Sequence, residues 1–168
     1  IVRDISERKA AEGVFAEVQG LLSSIVASSD DAILSKELVG VITSRDRAAE
    51  RIFGYTAEEM IGSSILKIIP PDRHPEETAI LSKLRRGERV DHYETVRCRK
   101  DGELVDISIT VSPLTDIEGN IIGASKIARD ISDQKRAKKA LDESEERWRV
   151  TLESIGDAVI ATDAAAVV

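Results

Sequence analysis

At 168 residues and 42% hydrophobic content, the chain can bury one ordinary core and no second large one. Acids outnumber bases 31 to 24, a net charge of −7, which argues against non-specific binding to nucleic acid. The single cysteine, Cys98, excludes an internal disulfide and fits a reducing, cytoplasmic setting. No run reaches the roughly 18 apolar residues of a membrane span, so no direct membrane contact is expected.

In chain order, the first feature is a repeat. Residues 2–11, VRDISERKAA, return at 128–137 as ARDISDQKRA, an offset of 126 that continues without a gap. Over 2–42 against 128–168, 11 of 41 pairs are identical. A fixed period with matched ends marks an array. The division read from it is the end of a preceding repeat (1–5), a linker helix (6–27), a complete globular unit (28–131), a second linker helix (132–153) and the start of a following repeat (154–168).

The first linker helix, from about Ser6 to Ile25, carries the stripe Ala11, Phe15, Val18, Leu22 and Ile25. Its counterpart, from about Ser132 to Leu152, has Ala137, Leu141, Ser144, Trp148 and Thr151 at the matching places. Spacing that averages 3.5 residues presents one narrow seam, the pattern by which a helix pairs with a copy of itself. A parallel homodimer through these helices is expected.

Within 28–131, Asp31–Lys36 and Val39–Thr43 read as short strands separated by a turn near Glu37. Helical pieces follow at Arg45–Phe53, Ala57–Ile61 and Ile65–Ile69, punctuated by Gly54, Gly62 and Pro70-Pro71. Thr56 and Glu59 resemble a capping pair. From Pro75 to Leu84 runs a longer amphipathic helix with Ala79, Ile80 and Leu84 on one side. Val90–Arg99 leads through Lys100-Asp101-Gly102 into Glu103–Pro113, a hairpin signature. In the second of these strands Val105, Ile107, Ile109 and Val111 alternate with polar residues, so one face is buried. A last turn at 116–120 precedes the strand Ile121–Asp130. The sum is an α+β unit: one antiparallel five-stranded sheet with short helices on one side, flanked by coiled-coil-type linker helices.

Gly40-Val41-Ile42-Thr43-Ser44-Arg45-Asp46-Arg47-Ala48-Ala49-Glu50-Arg51-Ile52-Phe53-Gly54-Tyr55-Thr56, then Glu58-Glu59-Met60-Ile61-Gly62, resembles the front half of a PAS (sensory box) domain. Arg99-Lys100-Asp101-Gly102 and Gly119-Asn120-Ile121-Ile122-Gly123, closing on Arg129-Asp130-Ile131-Ser132, resemble its rear half. The resemblance spans almost all of 28–131. It implies a sheet cupping a small cavity and a role in sensing or relaying signals within multidomain bacterial proteins, most often sensor histidine kinases and cyclic-di-GMP enzymes. Two departures stand out. Arg45-Asp46 replaces a common Trp-Asn, where Asp46 can still cap the following helix, and Asp-Ile-Ser replaces Asp-Ile-Thr at the end.

The resemblance also frames the cofactor question. Flavin photosensors of the family carry their adduct-forming cysteine where this chain has Ile65, so no adduct is expected there. Haem-binding relatives carry the iron-ligating histidine where this chain has Glu76, and a carboxylate matches haem iron poorly. His74, just ahead of Pro75, reads as an exposed helix start, and His92 and Cys98 as structural. No zinc motif, phosphate loop or catalytic triad can be assembled. Asp30-Asp31 and Glu58-Glu59 read as solvated or capping charges. The expectation is a non-catalytic module with no identifiable cofactor and, as partners, itself, the adjacent PAS and output domains, and an unidentified small ligand. Arg129, Asp130, Ile131 and Ser132 are the expected signal-transfer residues, with Asp130 accepting amide hydrogen bonds from the helix that follows. The competing expectations are a ligand-free dimerisation spacer and an input unit of a diguanylate cyclase or phosphodiesterase.

Overall fold

The computed structural model describes the backbone of residues 2–165 and the side chains of residues 2–158. It divides into two units, one ending at Asp130 and one beginning at Ile131. The first holds a long helix α1 (Val2–Ala27), strands β1 (Ala32–Glu37) and β2 (Ile42–Arg45), and helices α2 (Arg47–Phe53) and α3 (Ala57–Met60). Two 3₁₀ turns (Ile65–Ile68 and Pro71–Arg73) lead to α4 (His74–Arg85), which precedes β3 (Val90–Cys98), β4 (Leu104–Thr115) and β5 (Ile121–Asp130). The second unit is the helix α5 (Ser132–Ala165).

The strands form one sheet in the order β2-β1-β5-β4-β3, every pairing antiparallel. The last strand is therefore central, bonded on both edges. Inward residues of the sheet (Ala32, Leu34, Val105, Ile107, Ile109, Val111, Ala124 and Ala128) join Phe53, Met60, Ile65, Ile80 and Leu84 from the helical side in one core. This is the α+β, PAS-like architecture that the sequence predicts.

Local chemistry explains the helical connections. Asp46 caps α2, its Oδ1 accepting from the Ala49 amide at 2.9 Å. Gly54 ends that helix at φ +79°, a conformation that side chains with a Cβ rarely adopt. Glu59 Oε2 accepts from the Thr56 amide at 3.0 Å, the reach-back half of a capping box.

Three points go beyond the sequence reading. In α4 the buried residues are Glu77, Ile80 and Leu84, whereas Ala79 is exposed, because a stripe at i, i+3, i+7 starting from Glu77 faces the sheet. In β3 the alternation breaks at a register shift between Val90 and Tyr93, where His92 adopts φ +47°. The extra residue of a bulge flips the face presented by everything after it, so Thr95 and Arg97 point inward. The third concerns the partial repeats. Val2–Asp4 is helical although its copy at Ala128–Asp130 ends β5, and residues 154–165 are helical although their copies at 28–39 include β1. The copies within 28–39 and 128–130 are strand where β1, β4 and β5 pair with one another. Ile1 and residues 166–168 of those partial repeats lie outside the described residues.

No residue of α1 is buried. By length and composition alone this helix is apolar enough to cross a membrane, which corrects the expectation that no segment qualifies. It nonetheless carries Glu12 and Glu17, and its repeat counterpart in α5 is densely charged.

Candidate functional site

The inner face of the sheet carries three cations. On β1, alternation places Ala32, Leu34 and Lys36 on the buried face, and on β5 it places Ala124, Lys126 and Ala128 there. Lys36 pairs across the ladder with Ala124, while Lys126 pairs with Leu34. The two lysines are thus diagonal neighbours on one face. Arg97 follows from the bulged parity of β3. Lys36, Arg97 and Lys126 are 2%, 2% and 4% exposed.

Two carboxylates descend on them from α4. Glu77, also buried, touches both lysines: Oε2 accepts from Lys126 Nζ at 2.6 Å, and Oε1 is paired with Lys36 Nζ. Glu76 Oε2 accepts from Thr95 Oγ1 at 2.7 Å and Arg97 Nη1 at 3.1 Å, and Oε1 from Arg73 Nη1 at 3.0 Å. Arg97 Nη1 also reaches the Val96 carbonyl at 2.7 Å, whereas its buried Nη2 has no hydrogen-bond partner among the described residues.

The electrostatics follow from burial. Desolvation, then repulsion from Lys126, lowers Lys36 to about 7. Desolvation, then repulsion from Arg97, lowers Lys126 to about 7 against an opposing pull from Glu76. Burial pushes Glu76 up, but hydrogen bonds from Thr95, Arg97 and Arg73 outweigh it and hold the carboxyl below its ordinary value. Desolvation lowers Arg97, opposed by Glu76.

Beside this network an open cleft of about 670 Å³ runs along α4, bounded by Val39, Ile65, Leu66, His74, Ala79 and Leu81 among others. Its wall includes Ile65, where flavin relatives carry the adduct-forming cysteine, and the fit fails: Ile65 is buried aliphatic, and Cys98, the chain's only cysteine, is on β3 with Sγ directed to the Arg99 carbonyl. Haem fares no better. Glu76 is committed to Arg73, Thr95 and Arg97, and His74 Nε2 lies 3.1 Å from the Ile69 carbonyl oxygen. His74 is half-buried at the cavity wall, not at an exposed helix start as expected. His92 stays exposed on the opposite side of the sheet, in a shallow depression with Asp31, Arg89 and Arg129.

The residues expected to transfer signal fall on both sides of the unit boundary. Arg129 grips Asp31 through Nε at 2.9 Å and Nη2 at 2.8 Å, so Asp31 is an ion-pair partner and not merely a solvated charge. Asp130 ends β5 opposite Ile107 and accepts from Arg99 Nη2 at 3.0 Å. Ile131 opens the second unit, its carbonyl accepting from the Lys135 amide at 2.9 Å, and Ser132 is the first residue of α5. Sequence reasoning named Asp130 but missed its partner Arg99. It also missed Lys36, Glu77, Arg97 and Lys126, although the strand parity of Lys36 and Lys126 between small or apolar residues was a usable signal.

One antiparallel five-stranded sheet in the order β2-β1-β5-β4-β3 with short helices packed on its inner face is the architecture of the PAS fold. A profile of the PAS fold matches residues 20–131, and the chain belongs to the PAS family. Its PAS domain is a non-catalytic, signal-sensing module. Among solved structures, the PAS domain of a Colwellia psychrerythraea protein superimposes with a TM-score of 0.63 at 24% identity, covering 69% of this chain and 98% of that one. The PAS domain of an HTR-like protein from Haloarcula marismortui gives 0.64 at 22% identity, over 73% and 99%. Of curated proteins, the sensor protein FixL of Bradyrhizobium diazoefficiens is 36% identical over 74 residues, 44% of this chain and 15% of that protein. A probable diguanylate cyclase, DgcE of Escherichia coli, is 22% identical over 144 residues, 84% of this chain and 13% of that protein. The chain spans at most a fifth of the length of such curated relatives.

Proposed function

We propose that the chain is a signal-relaying PAS module of a cytoplasmic, multidomain bacterial sensor, with a histidine kinase as the first choice of parent. One observation carries the reading. β5, the central strand, ends at Asp130, and after the single residue Ile131 the chain enters the 34-residue helix α5. Central strands are the least free to fray, so a change anywhere in the sheet reaches the start of α5 through covalent continuity. Arg129, Asp130, Ile131 and Ser132 are the transfer segment, with Arg99 and Asp31 as the ion-pair partners that set how β5 ends. A ligand acts on this relay only through different affinities for two arrangements of the sheet.

The partners in this reading are a second copy, paired in parallel through α1 and α5, and the neighbouring domains, one ending at 1–5 and one starting at 154–168. The output domain follows the relatives: FixL favours the kinase, and DgcE favours a cyclic-di-GMP enzyme. A second reading, a spacer that binds no ligand, is favoured by the side chains of Lys36, Arg97 and Lys126, which occupy the inner face of the sheet.

In the full-length parent, Asp130→Ala and Arg99→Ala are each expected to cut signal-dependent output at least ~10-fold while the circular dichroism spectrum is retained. A parent that responds normally with either change refutes the relay through this pair. Native mass spectrometry of chain purified from cells separates the two readings: a retained small molecule supports sensing, and an empty dimer supports the spacer.

A further inference from the structure

The buried network is unbalanced in charge. Glu77 is one carboxylate between two ammonium groups, all three nine-tenths buried or more. The groups facing it offer no spare carboxylate: buried Arg97 is met by Glu76, and half-buried Arg73 is paired with Glu76 and Asp72. The β4 residues facing inward nearby, Ile109 and Val111, are apolar, and His74 from the head of α4 turns to the Ile69 carbonyl. A buried charge without a counter-charge is expelled as a proton rather than kept.

We propose that Lys36, Glu77 and Lys126 form a proton-operated latch between α4 and the two strands β1 and β5, taking up one proton as the surroundings acidify and loosening α4 when they do. With one lysine neutral, the cluster carries no net charge: the charged ammonium pairs with the carboxylate, and the neutral amine still reaches it by a hydrogen bond. The added proton binds to that amine nitrogen, turning it into a second ammonium and leaving one uncompensated cation in a dry site. Glu77 is the only buried polar residue of α4, so the helix feels the excess charge directly. The chain would then report pH near neutrality with no histidine at the centre of the device. The proposal goes beyond the relay and does not require it, because the titration belongs to the sheet and α4 alone.

The cluster titrates as a unit, so the direct measurement is of the lysines themselves. Side-chain ¹³Cε and ¹⁵Nζ signals of the 168-residue chain are followed from about pH 5.5 to 10.5, the upper end covering ordinary lysines. One buried lysine is expected to titrate near 7, and the methyl signals of Ile80 and Leu84 should shift with the same midpoint. In Lys126→Met a one-to-one pair of Lys36 with Glu77 remains, and the near-neutral step should vanish as Lys36 moves up by at least ~1 unit. Both buried lysines staying charged beyond about pH 9 overturns the proposal, and so does a near-neutral step that survives Lys126→Met. A lysine step with no matching movement of the α4 methyls overturns the latch. If the variant does not fold, the unsubstituted chain alone decides through its own titration and methyl signals.

Discussion

Glu76 and Arg97 show how much can rest on one residue. Arg97 is almost wholly buried, and its charge is met by a single carboxylate. Removing one partner of a buried pair leaves the other charged and dry, a loss usually well above that of the hydrogen bonds themselves. Glu76→Gln is therefore expected to destabilise the chain by about 3 kcal/mol in urea denaturation, whereas pairing it with Arg97→Met should recover part of that loss. The pH dependence has a definite sign. Glu76 is held below its ordinary value of 4.5, so its contribution is present above that pH and fades as pH falls through the folded value. Glu76→Gln should flatten that acid limb. The lysines act oppositely. Their folded values lie below 10.5 at about 7, so the unfolded chain binds more protons between those limits, and stability rises with pH across that window. At this scale the sequence was half legible. Asp46 as a helix cap could be read from its neighbours, because capping is local. The company kept by Glu77 could not, since it depends on which strands lie under α4.

Elements succeed or fail through pairing, and β5 pairs on both sides. Gly123 lies opposite Glu37 on β1 and Leu114 on β4. A Cβ built there would lie 2.4 Å from the Lys36 carbonyl oxygen, inside any permitted contact. Backbone cannot yield as a flexible side chain can, so β1 and β5 must separate. Gly123→Ala is expected to cost about 1–3 kcal/mol, and for a unit near 100 residues each kcal/mol lowers the thermal midpoint by roughly 4–8 °C. A melting curve unchanged from the parent would show that the strands open freely at this point. The order β2-β1-β5-β4-β3 itself was not legible, because strand runs and turns reveal neighbours in sequence but not the return of the last strand to the first. The face of β3 stayed open for a related reason: the bulge near His92 inverts the alternation after Val90, and an inserted residue leaves no mark in composition.

At the scale of the whole molecule the two long helices pose one question, since neither buries its apolar stripe. Phe15, Val18, Leu22 and Ile25 on α1 are 49–65% exposed, and Leu141 and Trp148 on α5 are 59% and 66% exposed. Isolated helices gain most of their stability from packing such a stripe, and the 3.5-residue spacing suits a copy of the same helix. Fully burying a large apolar side chain contributes about 1.5–3 kcal/mol. A charge placed at one such site is lost twice in a symmetric dimer. Leu22→Glu and Leu141→Glu should therefore each weaken association by roughly 100-fold or more, since each 1.4 kcal/mol is tenfold. Light scattering after gel filtration would show a dimer of the parent chain becoming a monomer at the same concentration. Trp148, the only tryptophan, offers an internal check, because pairing through α5 moves it out of water. Its emission should shift to shorter wavelength as the parent chain is concentrated and stay constant in Leu141→Glu. A parent chain that remains monomeric, with Trp148 emission independent of concentration up to about 0.1 mM, a range in which micromolar pairing is complete, would refute the proposed pairing with a second copy.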